Sequence, residues 1–408
     1  MKTVFSFYLF NKKKLLFIKK ILLIFPALFC PLSLGKIDIE GSFLIRGSFL
    51  QAKPFLAYNQ LHLNNKFHPS NDLKIQTHLL FPKFYGEHST LLDSSFAIYP
   101  STSWFINEDL QLKLGRNLYT NPFHQIVSLN PYEAFFYSFD GAFLEYNTQI
   151  LNFNIWTAYL PKRWIGLKQE QEFKYGMGAF LDIKLTESHI DFVNLHVAYL
   201  GNSLIQSSDK KTFRYGVAVK GTIQPIQVNY TVIAIRHGSG FQFKIEENMY
   251  HVALNYFRPD FFNSSFFIGV HSDSPKYESW LYDRHKNAGL SDIFSWGNLK
   301  YYFVGLSLSP FNKWDIQAIF HDFYATEAGG SIELGYFGAL IHKNRESSLS
   351  DVQQKLGKEL DIQIKTHISK EFQVQLTTGF FFSQIESKDF LKNQNFYNNI
   401  QLAGLYKF

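Results

Sequence analysis

From Asn398 to Phe408, apolar and polar positions alternate up to the last residue. Ile400, Leu402, Gly404, Tyr406 and Phe408 fall on one side of an extended segment, with Gln401, Ala403, Leu405 and Lys407 on the other. Such alternation marks a strand with two unlike faces. A terminal strand needs an edge to pair with. A closed membrane barrel supplies one, because its last strand must join its first to leave no unpaired backbone in lipid. An edge strand of a soluble β-sandwich is the alternative that this segment alone leaves open.

Segments of about ten residues repeat the pattern along the chain, separated by clusters of Gly, Asn, Ser, Asp and Pro. The first are residues 37–47, 55–63 and 73–81, the last with Lys74, Gln76 and His78 on its polar side. Leu110, Leu112 and Leu114 face away from Gln111 and Lys113. Further runs cover 151–159, 177–185, 193–199, 215–223, 226–235, 249–257, 265–271, 302–308 and 314–323. Residues 332–341, 359–368, 372–382 and the terminal strand follow. A soluble sandwich does not keep adding strands this regularly. The pattern predicts an all-β, transmembrane antiparallel β-barrel of about 18 strands, with 16 as the alternative, since bacterial single-chain barrels carry even numbers.

Connections fall into two sets. Residues 222–225 and 369–371 are tight; 161–175, 200–214, 272–300, 342–358 and 383–397 are long. Long loops on one rim and short turns on the other are expected of a barrel, the long set outside the cell and the short set in the periplasm. Tyr159, Tyr199, Trp314 and Tyr406, at strand ends, are expected in the interfacial aromatic girdles.

Composition supports this class. Charged residues make up 18% of the 408, against roughly 25% in soluble domains, while aromatics also reach 18%. Mean hydropathy is −0.13, which excludes a bundle of spanning helices. Residues 1–35 read as a cleaved signal peptide and 36–408 as the barrel. Lys12, Lys13, Lys14, Lys19 and Lys20 form a basic region, residues 21–29 an apolar one, and Ser33-Leu34-Gly35 a small-x-small cleavage site.

Removing that segment changes the charge. It holds six of the 40 basic residues and no acidic one, which leaves 34 basic against 34 acidic. The sequence pI near 9.0 therefore belongs to the signal, and no nucleic-acid partner is expected. Cys30, the single cysteine, leaves with it, which excludes cysteine catalysis and suits an oxidising compartment.

The stretch with candidate function lies between Lys113-Leu114-Gly115-Arg116-Asn117 and Ser138-Phe139-Asp140-Gly141. About twenty residues without alternation separate them, including Glu133, and a loop of that length in a barrel is usually functional. Folded inward, it would bring Arg116, Glu133 and Asp140 to the pore axis as a ring of mixed sign that selects by charge and size. Lys113 and Arg236 are the further candidates for this constriction. An ordinary surface loop, with Arg116 and Asp140 as a strand-end ion pair, is the alternative.

Gly115-Arg116 followed by Ser138-Phe139-Asp140-Gly141 resembles the G-R…S-F-D-G stretch of the alginate-export family of outer-membrane barrels. His285, Gly289, Asp292, Trp296 and Asn298-Leu299 resemble its H…G…D…N-L segment. Leu356-Gly357-Lys358-Glu359-Leu360-Asp361 resembles its L-G-x-E-L-D strand opening. The resemblance implies an 18-stranded outer-membrane channel, in that family an arginine-lined route for an anionic polysaccharide.

No G-x-S-x-G, H-E-x-x-H or close histidine pair points to hydrolysis or a metal, so neither an enzyme nor a cofactor is expected. The reading is a channel in the bacterial outer membrane for diffusion or export of hydrophilic solutes, oligo- or polysaccharides included. Its partners would be membrane lipid, those solutes, and the assembly machinery that reads the strand ending in Phe408. A plugged, adhesive barrel recognising surfaces through residues 272–300 is the alternative, followed by a barrel hydrolase.

Overall fold

The computed structural model describes residues 36–50, 53–85, 97–118, 138–159, 175–185, 189–201, 211–239, 245–274, 294, 297–311, 313–334, 348–350, 352–385 and 396–407. The signal segment and Phe408 lie outside these. Strands β1 Lys36–Leu50, β2 Lys53–Ser70, β3 Leu73–Tyr85, β4 Ala97–Phe105, β5 Leu110–Leu118, β6 Ser138–Asn147 and β7 Leu151–Tyr159 come first. Next are β8 Tyr175–Lys184, β9 Ile190–Gly201, β10 Lys211–Ile223, β11 Val228–Ser239, β12 Ile245–Arg258, β13 Ser264–Asp273, β14 Leu299–Phe311 and β15 Trp314–Ala325. The short β16 Ile332–Glu333 and β17 Ser348–Leu349 precede β18 Lys355–His367, β19 Phe372–Ser383 and β20 Phe396–Lys407.

All but β16 and β17 form one 18-stranded sheet, each strand antiparallel to its neighbours. It closes on itself: β20 pairs with β19 and also with β1, from Ser42↔Lys407 to Leu50↔Asn399. Every wall strand therefore has two neighbours, and no edge of the sheet is left to lipid. On the rim that holds Lys36 and Lys407 every connection has two to five residues; the longer loops sit on the other, together with the short β1–β2 and β11–β12 connections.

Alternation divides the two faces. Leu144, Ile155, Leu195, Val232, Leu254, Ile268, Leu306, Leu376 and Leu402 are exposed on the outside. Gln60, Asn64, Asn154, Asp182, Asn194, His196, Gln375, Thr377 and Gln401 are buried on the inside. Trp314, Tyr159 and Tyr406 are exposed near strand ends, as a girdle requires; Tyr199 has the same outward parity but is covered by Phe213, their ring centroids 5.3 Å apart.

Two strand assignments change, and they offset each other in the count. The alternation at 332–341 does not add a wall strand, because β15 pairs directly with β18; within it Ile332–Glu333 pairs with Ser348–Leu349, and 335–341 lie outside the described residues. β4 is the strand the pattern does not show. Its Pro100 and its Ser101-Thr102-Ser103 run blur the alternation. Pro100 pairs with Thr77 on one side, and the β4–β5 ladder stops one residue short of it at Ser101↔Gly115, so its missing N–H breaks no bond there. Gly115, at φ 107°, takes a backbone conformation at that point that side chains disfavour.

Candidate functional site

The inner wall is built of side-chain rows running from strand to strand. One row reads Lys74, Ser103, Lys113, Phe143, Trp156, Gly178, Ala198 and Arg214 across β3 to β10. Lys66 lies one row away on β2, opposite Gln76. Lys66 Nζ donates to Glu40 at 2.6 Å, and Lys113 Nζ is 2.6 Å from Glu145. Lys74 has no ion-pair partner among the described residues, while Asp38 stands opposite Lys66 on the same face as Glu40. Beside it, Asn64, Gln76, His62 and His78 form a hydrogen-bonded network, with the two imidazole nitrogens 3.0 Å apart and the rings stacked. Further round, Asn154 donates to Glu145 and Asn194 to Asp182.

The sequence places Arg116 and Asp140 at the pore axis; the register sets them on the other face. Arg116, Asp140, Tyr159 and Tyr175 form one row, and both tyrosines are exposed on the outside. Arg116 donates to both carboxylate oxygens of Asp140, at 2.6 and 2.7 Å. The pair is thus bidentate and sits at the long-loop rim. Arg236 also has outward parity, opposite Tyr215 and Asn248. Of the candidates, Lys113 faces the lumen. Glu133 and the rest of 119–137 lie outside the described residues.

A different segment enters the lumen. Phe294, Ile332, Leu334, Leu349 and Val352, all from long-rim loops, are buried in one apolar cluster. Their partners are inward-facing wall residues: Ala218, Ile233, Ile235, Met249, Tyr301, Phe323, Leu356, Phe381 and Tyr397. Those residues come from β10 round to β20, half the circumference. Phe294 packs edge-on against Phe323 and Phe381, centroids 5.4 Å from each. The loop between β15 and β18 therefore has its described ends inside the barrel, packed on the wall with Phe294 of the β13–β14 loop.

Its base is latched by two buried polar residues. Asp273, at the end of β13, accepts the Leu299 N–H at 2.6 Å and the Gly297 N–H at 3.1 Å, and lies 3.2 Å from His271 Nε2. Asn298 accepts the Glu327 N–H at 2.7 Å and donates to the carbonyls of Glu327 and Ser331. Thr326 Oγ1 closes the circuit on the Asp273 carbonyl at 2.7 Å. The sequence carries two signals for this latch: the Gly297-Asn298 pair, both at positive φ, and Asp273, the acidic residue that ends the otherwise uncharged β13 two positions after His271.

No family model and no characterised relative matches the chain by sequence. Solved structures do match it. Pseudomonas aeruginosa OccK5 (OpdH) is 11% identical, with a TM-score of 0.64 over 92% of this chain and 98% of that one. P. aeruginosa OccK2 (OpdF) in complex with glucuronate gives 9% and 0.64, over 91% and 98%. OpdK with vanillate gives 9% and 0.62, again over 91% and 98%. The fold is that of the outer-membrane porins. These neighbours support the barrel fold of the family resemblance and not its alginate route. Neighbour and chain share a barrel, and at this identity the lumen residues must be read from this chain alone.

Proposed function

We propose that this protein is a passive outer-membrane channel for small hydrophilic solutes, with a preference for organic carboxylates, and that the long-loop rim faces outside the cell. The lysine wall carries the second part. Lys74 and Lys113 stand in one row two strands apart, roughly 10 Å at sheet spacing, with Lys66 beside them. Two of the three pair with Glu40 and Glu145, and Lys74 makes no ion pair among the described residues, which leaves its ammonium group open to a passing carboxylate. The OccK2 and OpdK structures hold glucuronate and vanillate, both carboxylates of a size this wall suits. A polysaccharide route would need a continuous positive stripe, and Glu40, Glu145 and Asp182 interrupt one here.

Reversal potentials in a potassium chloride gradient test the assignment. A unit charge about 5 Å from a passing ion in water changes the local anion concentration roughly fourfold. Lys74→Gln and Lys113→Gln are therefore expected to move selectivity toward cations and to weaken block by glucuronate. Arg116→Gln, on the outer face, is expected to leave both unchanged. Unaltered potentials in both lysine variants, or no current steps from the wild-type barrel, would overturn the reading.

A further inference from the structure

Along the long-loop rim, the outward face from β11 to β18 carries Arg236, Lys300 and Lys358, with Lys355 beside them opposite Tyr324, and none of these has a part in the lumen. Arg236 is exposed, while Lys300 and Lys358 are half-buried. Two adjacent rows of outward side chains hold the lysines among aromatic rings. One row reads Tyr250, Ser272, Lys300 and Tyr324; the next reads Tyr302, Asp322, Lys358 and Phe382. Lys300 Nζ lies 5.1 Å from the Tyr302 ring centroid, and Lys358 Nζ 5.9 Å from that of Phe320.

Among the described residues, none of Arg236, Lys300 and Lys358 has an ion-pair partner. Asp322 stands directly opposite Lys358, yet its carboxylate receives the Tyr324 hydroxyl at 2.8 Å and the lysine turns to a ring instead. Elsewhere on the same rim the outward Arg116 is fully matched by Asp140. Among the described residues, the cationic excess thus belongs to this arc. One row further from the rim, Val304, Ile268 and Leu360 begin the apolar belt, so this arc adjoins the surface that meets lipid. Lysine and arginine on that face are unfavourable in hydrocarbon and tolerated at headgroup depth, where tyrosine is also at home.

We propose that this arc binds the phosphate-bearing headgroup of a lipid in the adjoining leaflet. Lys300 and Lys358 are offset by two strands and one same-face step, roughly 12 Å. That spacing lets each meet a separate phosphate of a headgroup bearing two, while Arg236 contacts its edge. The hydroxyls of Tyr250 and Tyr302 supply further donors. The occupant is a lipid rather than a soluble anion because the rows below it are apolar and continuous with the lipid face. The proposal depends on the barrel lying in a membrane and not on which solute it passes.

The test is native mass spectrometry of the purified barrel taken from phosphatidylcholine vesicles containing a minority of diphosphorylated lipid A. A parallel set carries a galactolipid without phosphate. Wild type is expected to retain lipid A and to lose the galactolipid. Arg236→Gln, Lys300→Gln and Lys358→Gln are each expected to lower lipid A retention about fivefold, and Lys313→Gln, at the opposite rim, to leave it unchanged. Equal retention of the two lipids, or full retention by all three variants, would overturn the proposal. So would displacement by inorganic phosphate alone, which would mark a plain anion site. Folded state is read from heat-modifiable migration for each variant. Channel conductance is expected to be the same in all of them, which separates this result from any failure of the solute reading.

Discussion

A chain ended before Phe396 is expected to give no folded barrel at all. β20 makes nine cross-strand pairs with β1 and eleven with β19. Its loss exposes two full edges at once, and each unsatisfied backbone group in lipid costs several kcal/mol. The remaining 17 wall strands cannot close as before: β1 and β19 both run antiparallel to β20, so they would have to meet in parallel. The measurement is heat-modifiable migration and protease resistance after refolding into vesicles. Stable insertion of the shortened chain would show that closure does not depend on this strand.

The second large effect concerns the latch. Asp273→Ala leaves the Leu299 and Gly297 N–H groups buried without an acceptor, a loss of about 1–3 kcal/mol for each. Phe294→Ala removes the ring that wedges between Phe323 and Phe381, which in a packed cluster costs about 3–5 kcal/mol. Neither change touches the backbone ladders of the wall. Both variants are therefore expected to fold and insert, but to conduct more, with a flickering current as the loop leaves the lumen. Asp273→Asn keeps one acceptor oxygen and is expected to fall between. Wild-type conductance in Asp273→Ala and Phe294→Ala together would mean that the loop does not limit flow.

The candidate site was legible only in part, for a reason that Arg116 and Ile332 illustrate. A two-residue period shows that a segment is extended and that its faces differ. It does not show what lies against the buried face. Ile332 and Leu334 alternate as a wall strand does, yet they are buried against other wall strands inside the barrel. Arg116 and Asp140 were correctly neighbours in the pattern, since their strands pair residue for residue. Charge alone suggested the lumen for them, whereas parity with Leu114 and Leu144 sets them outside. Lys113, one position away, falls inside for the same reason.

What the sequence by itself determined is the barrel: antiparallel strands, apolar outside and polar inside, short turns on one rim, and a last strand that joins the first. Those features follow from local periodicity and from the need to satisfy every backbone group in lipid, both of which act residue by residue. Only the tertiary structure decided which loop enters the lumen, which lysine stays unmatched, and where outward cations gather. Each of those depends on contacts between segments distant in the chain, Asp273 with Leu299 or Phe294 with Phe381, and no local pattern encodes a partner that far away.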